Sequence, residues 1–135
     1  MLRSPPMRSR EDIEAYLLRA GHPFEEVAEA TWLVKDPEAS GAHVVVKLDE
    51  GIVLFRMKVL ELDDHFDRPA LFEKLLQLNA TEMLNGAYGI SDGNIVLTCA
   101  LRAENLDFNE FQGVVDDFTM ALGNHYETIK SFRKA

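Results

Sequence analysis

Gly86, Gly89 and Gly93 fall in "NGAYGISDGNIVL", between a helix-like run and a strand-like run. Glycines at such a junction can turn backbone N–H groups toward a phosphate. A Walker-type loop, however, needs a Lys after its last Gly, and a dinucleotide turn needs a strand before the glycines and a helix after them. Here the order is helix, glycines, strand, turn, strand, and no Lys or Arg lies between Lys74 and Arg102. The glycines therefore read as a helix exit at Gly86, a short strand around Gly89 and a hairpin turn at Gly93.

The other groups that could do chemistry are as poorly placed. "DDHFD" offers His65 and Asp67 as metal ligands, but it lacks the thiolates or paired histidines of a zinc site, and nothing downstream completes a set. It reads as a strand-to-helix loop whose Asp67 caps the helix. Asp116 and Asp117 are helix neighbours, so their carboxylates diverge by about 100° instead of sharing a proton. His22, His43 and His125 have no companions at motif spacing, and His125 reads as a rim residue of the last helix. Cys99 shares a core-facing strand side with Ile95, Leu97 and Leu101, where a thiol is little ionised. No serine stands in an elbow motif. No catalytic residue, cofactor or metal is expected.

The elements that carry these residues are legible from periodicity. "SREDIEAYLLRAG" reads as a helix with Ser9 and Asp12 as a capping box, Ile13, Tyr16, Leu17 and Ala20 as one face, and Gly21 at its end. Ala28, Ala30, Trp32 and Val34 alternate with Glu29, Thr31 and Leu33 as one strand. After a polar loop through Pro37, Ser40 and Gly41, "HVVVKL" and "IVLFRMKVLEL" form a hairpin about "DEG". A second helix follows Asp67, with Leu71, Phe72, Leu75, Leu76, Leu78 and Met83 giving an unusually broad apolar face. "GAYGI" and "IVLTCAL" make a hairpin about Asp-Gly. The final helix has the clearest start, with Asp107 and Glu110 as a capping box and Leu106 and Phe111 as a hydrophobic staple. Phe111, Val114, Val115, Phe118, Leu122, Tyr126 and Ile129 continue its face. The expectation is an α+β domain with an antiparallel five-stranded sheet and three helices in the order α-βββ-α-ββ-α, occupying residues 9–135 behind a flexible tail at 1–8.

The chain of 135 residues is 47% hydrophobic and carries a net charge of −9, the composition of one globular domain. From Glu82 to Glu127 there are eight carboxylates and a single cation, Arg102. That half would repel a phosphate backbone, so nucleic acid is not expected as a partner. One cysteine excludes an internal disulfide. The start "MLRSPPMRSRED" has no apolar core of a signal peptide and no segment reaches membrane-spanning length, so a cytoplasmic protein is expected.

The strands also carry apolar residues on the sides opposite their core faces. Leu33, Val45, Leu54 and Val96 are the principal ones, joined by Ile52 and Ala100. A sheet with helices on one face should present a mostly polar second face. Exposed together, these side chains would suit a partner chain or a second copy, and the first four are the candidate protein-binding residues.

The run from "LLQLN", Leu75 to Asn79, through Gly86 to Gly89 and on to Leu106 with Asp107 resembles the YbjN-domain family, related in fold to the class I type III secretion chaperones. "EAYLLRAG" and "EEVAEATWLV" are similar to the family's first helix and strand, which extends the resemblance over about Glu11 to Phe132. It implies a secretion-chaperone-like fold, often homodimeric, that binds protein segments and performs no chemistry. Some members of the family are described as sensory or stress-response regulators. The expected function is a non-enzymatic chaperone-like or regulatory protein-binding domain. The alternative is a module sensing a small ligand under the last helix, with an enzyme third.

Overall fold

Residues 9–35 and 42–134 are described by a computed structural model. The helix α1 (Arg10–Ala20) is followed by strands β1 (Phe24–Ala28), β2 (Thr31–Lys35), β3 (His43–Asp49) and β4 (Ile52–Glu61). Helix α2 (Arg68–Thr81), strands β5 (Ala87–Ser91) and β6 (Asn94–Arg102) and helix α3 (Phe108–Lys130) complete the chain. The tail expected over 1–8 and the loop through Pro37, Ser40 and Gly41 lie outside the described residues.

The sheet has six strands, not five, in the order β1-β2-β3-β4-β6-β5, every neighbour antiparallel. The added strand arises because the expected single strand from Ala28 to Val34 folds back on itself. Ala28 pairs with Thr31, leaving Glu29 and Ala30 as a two-residue turn in which Ala30 takes φ +48°. A non-glycine residue rarely adopts that conformation, and no Gly or Asn marks the turn, so period-two alternation ran straight through it. The other two hairpins behave as their sequences foretell. Glu50 and Gly51 have φ +46° and +82°, Asp92 and Gly93 +53° and +77°, and positive φ at both central positions matches the right-handed strand twist.

Alternation then sorts the strands into two faces. Trp32, Val34, Val44, Val46, Val53, Phe55, Met57, Ile95 and Leu97 are buried on the inner face, where α1, α2 and α3 contribute Ile13, Leu17, Leu71, Leu75, Leu78, Phe111 and Phe118 to the same core. Phe55 meets Phe111 with ring centroids 5.3 Å apart, and Tyr16 lies 5.5 Å from Phe111 while its hydroxyl donates to the Leu106 carbonyl at 2.8 Å. Burying a Phe or Leu side chain is worth about 1.5–3 kcal/mol. This face therefore holds the fold together.

Both capping boxes form. Ser9 and Asp12 close α1, and at α3 the Asp107 carboxylate accepts from Glu110 N–H at 2.7 Å while Glu110 accepts from Asp107 N–H at 3.2 Å. The staple residues Leu106 and Phe111 are 2% and 0% exposed. Asp67 caps α2 by accepting from Ala70 N–H. On α2 the broad apolar stripe divides: Leu71, Leu75 and Leu78 are buried, Phe72 and Met83 are partly buried, and Leu76 is 69% exposed. Among the described residues no helix is long and apolar enough to cross a membrane.

Candidate protein-binding face

All three helices pack on one face of the sheet, and the opposite face brings the four candidate residues onto a common surface. Leu33 pairs with Val45, and Val45 with Arg56. In the next row Lys47 stands between Thr31 and Leu54, and Leu54 pairs with Ala100. Val96 lies between Lys58 and Gly89. Leu33 and Val45 are half-buried by their neighbours, and Leu54 is 39% exposed.

Val96 is only 5% exposed although, among the described residues, no helix covers it. Arg56 stands opposite Thr98 of β6, and its guanidinium donates to Ser91 Oγ on β5 at 2.8 Å. To reach Ser91 the side chain crosses β6 diagonally past Val96, and Gly89 on the far side adds no side chain of its own. The aliphatic stem of an arginine covers apolar surface while its head stays hydrated. This contact joins three strands and could not be read from the sequence.

One sheet edge is already occupied. Asn79, the last residue of "LLQLN", accepts from Tyr88 N–H at 2.7 Å and donates to the Tyr88 carbonyl at 3.2 Å. Its amide copies a neighbouring strand along the outer side of β5 and blunts that edge. At the other edge, Glu26 of β1 pairs with Arg10 of α1.

The residues that raised chemical questions take structural places. Asp63 binds Arg133 at 2.7 Å, and the guanidinium, helped by the His65 N–H, holds its carboxyl below the usual carboxylate range. Asp67 N–H donates to the Phe132 carbonyl and Lys134 N–H to that of His65, so the "DDHFD" loop fastens the end of the chain. Asp116 and Asp117 diverge: Asp116 accepts from Gln112 at 2.7 Å on the exposed side, whereas Asp117 is partly buried and holds Asn85 at 2.5 Å. Cys99 is half-buried against the core, and burial raises its thiol pKa, with Asp117 adding to the effect.

His125 corrects the expectation of a rim residue. It is 8% exposed, its Nδ1 lies 2.7 Å from the Tyr88 hydroxyl, and desolvation lowers its pKa. Burial likewise raises the Tyr88 pKa, so both groups are neutral near pH 7, and the tautomer of His125 sets which of the two donates. A signal existed in the sequence, because His125 falls at helical spacing between Leu122 and Ile129 on the buried side of α3. Beside this pair, Met83, Leu84, Asp117, Met120, Asn124 and His125 line a pocket of about 50 Å³ between the end of α2 and α3. Leu84 and Met120 stand on its rim at 85% and 62% exposure.

This arrangement of a six-stranded antiparallel sheet with three helices is similar in fold to several solved proteins. The sequence matches the CesT_Tir_1 family over residues 7–135, and the chain belongs to that type III secretion chaperone family. A chain of the heterodimeric ExoU–SpcU complex from the type III secretion system of Pseudomonas aeruginosa superposes with a TM-score of 0.69 at 19% identity, covering 85% of this chain and 95% of that one. YbjN from E. coli gives a TM-score of 0.67 at 15% identity, over 93% of this chain and 96% of that one. A chain of the HopA1–SchA chaperone–effector complex gives 0.64 at 12% identity, over 90% of this chain and 99% of that one. Among curated proteins no sequence matches the chain.

Proposed function

We propose that this chain is a non-enzymatic, chaperone-like protein-binding domain that works as a homodimer in the cytoplasm and holds an extended segment of another protein. The observation that carries the reading is the outer sheet face, where Leu33, Val45 and Leu54 occupy adjacent rows with no helix among the described residues packed over them. Membership of a chaperone family and likeness in fold to chains from protein complexes support a protein as the ligand. A partner would bury side chains on this face or add a strand at β1, since Asn79 already fills part of the edge at β5.

The ligand-sensing alternative gains no support from the pocket beside His125. At about 50 Å³ it has room for one inserted side chain, whereas sites for small molecules run to roughly 300–1,000 Å³. The exposed Leu84 and Met120 on its rim instead suit contact with a second copy.

The test is affinity capture from the native cytoplasm with wild-type protein and with Val45→Asp/Leu54→Asp. The wild type should retain a stoichiometric partner that the variant loses while keeping its circular dichroism and the blue-shifted emission of the buried Trp32. Equal recovery of the same partner by the variant would overturn the assignment of the face.

A further inference from the structure

The outer face differs in charge from the rest of the molecule. Lys35, Lys47, Arg56 and Lys58 all project from it, in or beside the rows of Leu33, Val45, Leu54 and Val96. From β2 to β6 those rows contain no carboxylate. Among the described residues of the face, acidic ones occur only at the margins: Glu25 on β1, and Asp49 and Glu61 at strand ends. This is the reverse of a chain with 14 Lys and Arg against 23 Asp and Glu. Among the described residues the only ion pair made by these four cations is Lys58 with Glu61 at 3.9 Å, while Arg56 binds the uncharged Ser91 hydroxyl.

We infer that the outer sheet face selects an extended protein segment whose sheet-facing side chains, every second residue, are acidic and aliphatic in turn. This deepens the proposal that the face binds protein and rests on it. Alternation follows from the pairing. Apolar Leu33 and Val45 lie one row from Lys47, and apolar Leu54 lies one row from Arg56, so a strand-like segment crossing the rows meets aliphatic and cationic positions in turn. Carboxylates on the segment would pair with Lys47 and Arg56 while its aliphatic residues cover Val45 and Leu54.

Arg56 adds a step to this recognition. A guanidinium bonded to a carboxylate is held more strongly than one bonded to a neutral hydroxyl, so an arriving Asp or Glu draws Arg56 from Ser91. That movement uncovers Val96 for the partner's next aliphatic side chain. The same cations would attract a nucleic-acid phosphate. The described part of this face, however, carries no Phe, Tyr or Trp on which bases could stack, and the acidic remainder of the chain opposes a polyanion.

The test is selection from a display library of random peptides of about 12 residues on wild-type protein, with a dT oligonucleotide of about 20 bases as a second probe. Retained peptides should be enriched in Asp and Glu over Lys and Arg by about threefold or more, and the enrichment should vanish in Lys47→Glu/Arg56→Glu. The acidic peptides should also lose about tenfold in affinity between low and physiological salt. Peptides with no acidic bias that are lost in Val45→Asp/Leu54→Asp would overturn this inference while leaving the face as a protein-binding surface. No retention above that apolar variant would overturn both. Oligonucleotide binding tighter than the peptides, abolished by the charge reversal, would replace the acidic segment with a nucleic acid.

Discussion

The Tyr88 hydroxyl and His125 Nδ1 meet at 2.7 Å inside the fold, joining an edge strand to the long final helix. Burial at this contact disfavours the charged imidazole, so folding and the charge of His125 are linked. Burial lowers the His125 pKa from 6.5; Glu82 opposes this and Lys74 adds to it, both more weakly. Above 6.5 the imidazole is neutral whether folded or unfolded and its contribution to stability is complete. As pH falls below 6.5 the unfolded chain takes up the proton first, and stability declines until the folded pKa is passed.

The loss of stability between pH 7.5 and about 5.5 should therefore be smaller in His125→Gln than in the wild type. Gln can still accept the Tyr88 hydroxyl but does not titrate. Guanidinium midpoints at the two pH values check this, and parallel slopes for both proteins would show that other groups govern the acid limb.

Asn79 supplies two hydrogen bonds to the Tyr88 backbone, one through each end of its amide. Removing them leaves a partly buried N–H and C=O without partners, at a cost of about 1–3 kcal/mol for an unsatisfied group. Asn79→Ala should destabilise by about 2–3 kcal/mol in denaturant unfolding, and Asn79→Asp by less, because it keeps the acceptor for Tyr88 N–H. Amide exchange at Tyr88 should accelerate in Asn79→Ala more than in Asn79→Asp.

What the sequence disclosed and what it hid divide by range. The helices, both capping boxes and the hairpins at Gly51 and Gly93 follow from local grammar, and the structure forms each of them. The β1–β2 hairpin was illegible because Glu29 and Ala30 lack turn chemistry and the neighbouring strands impose the positive φ on Ala30. The outer-face position of Leu33, Val45, Leu54 and Val96 was readable from alternation, but alternation does not say which residues stand in the same row. Register alone sets Lys47 beside Leu54, and only a three-strand contact lays Arg56 past Val96. The Tyr88–His125 pair likewise spans 37 residues, beyond any local pattern.

The surface around Leu84 and Met120 carries the prediction of a dimer. These side chains are 85% and 62% exposed at the mouth of a small pocket into which one side chain of a second copy could fit. Light scattering should give twice the monomer mass at tens of micromolar, and Leu84→Glu/Met120→Glu should give the monomer mass with unchanged circular dichroism. A monomeric wild type at that concentration would refute the dimer, and a dimeric double variant would move the interface elsewhere.

Gly86 and Gly93 separate two reasons for a glycine. Both have positive φ, +83° and +77°, so replacing either by Ala adds backbone strain of about 1 kcal/mol. At Gly93 a Cβ would meet nothing within 4 Å, and the strain is the whole expected cost. At Gly86 it would stand 2.5 Å from the Thr98 carbonyl oxygen, 2.9 Å from Phe118 Cε1 and 3.2 Å from Cys99 Cβ. The first of these is backbone in the sheet, which cannot turn aside as a side chain can, so the exit from α2 must lift away from β6 and α3. Overpacking of this kind costs a further 1–3 kcal/mol or so. Gly86→Ala should therefore lose about 3 kcal/mol against about 1 for Gly93→Ala, read from urea or guanidinium midpoints. Equal losses would mean that the segment from Met83 to Gly86 moves freely, and the packing of Asn85 on Asp117 would then have to be looser than its hydrogen bond implies.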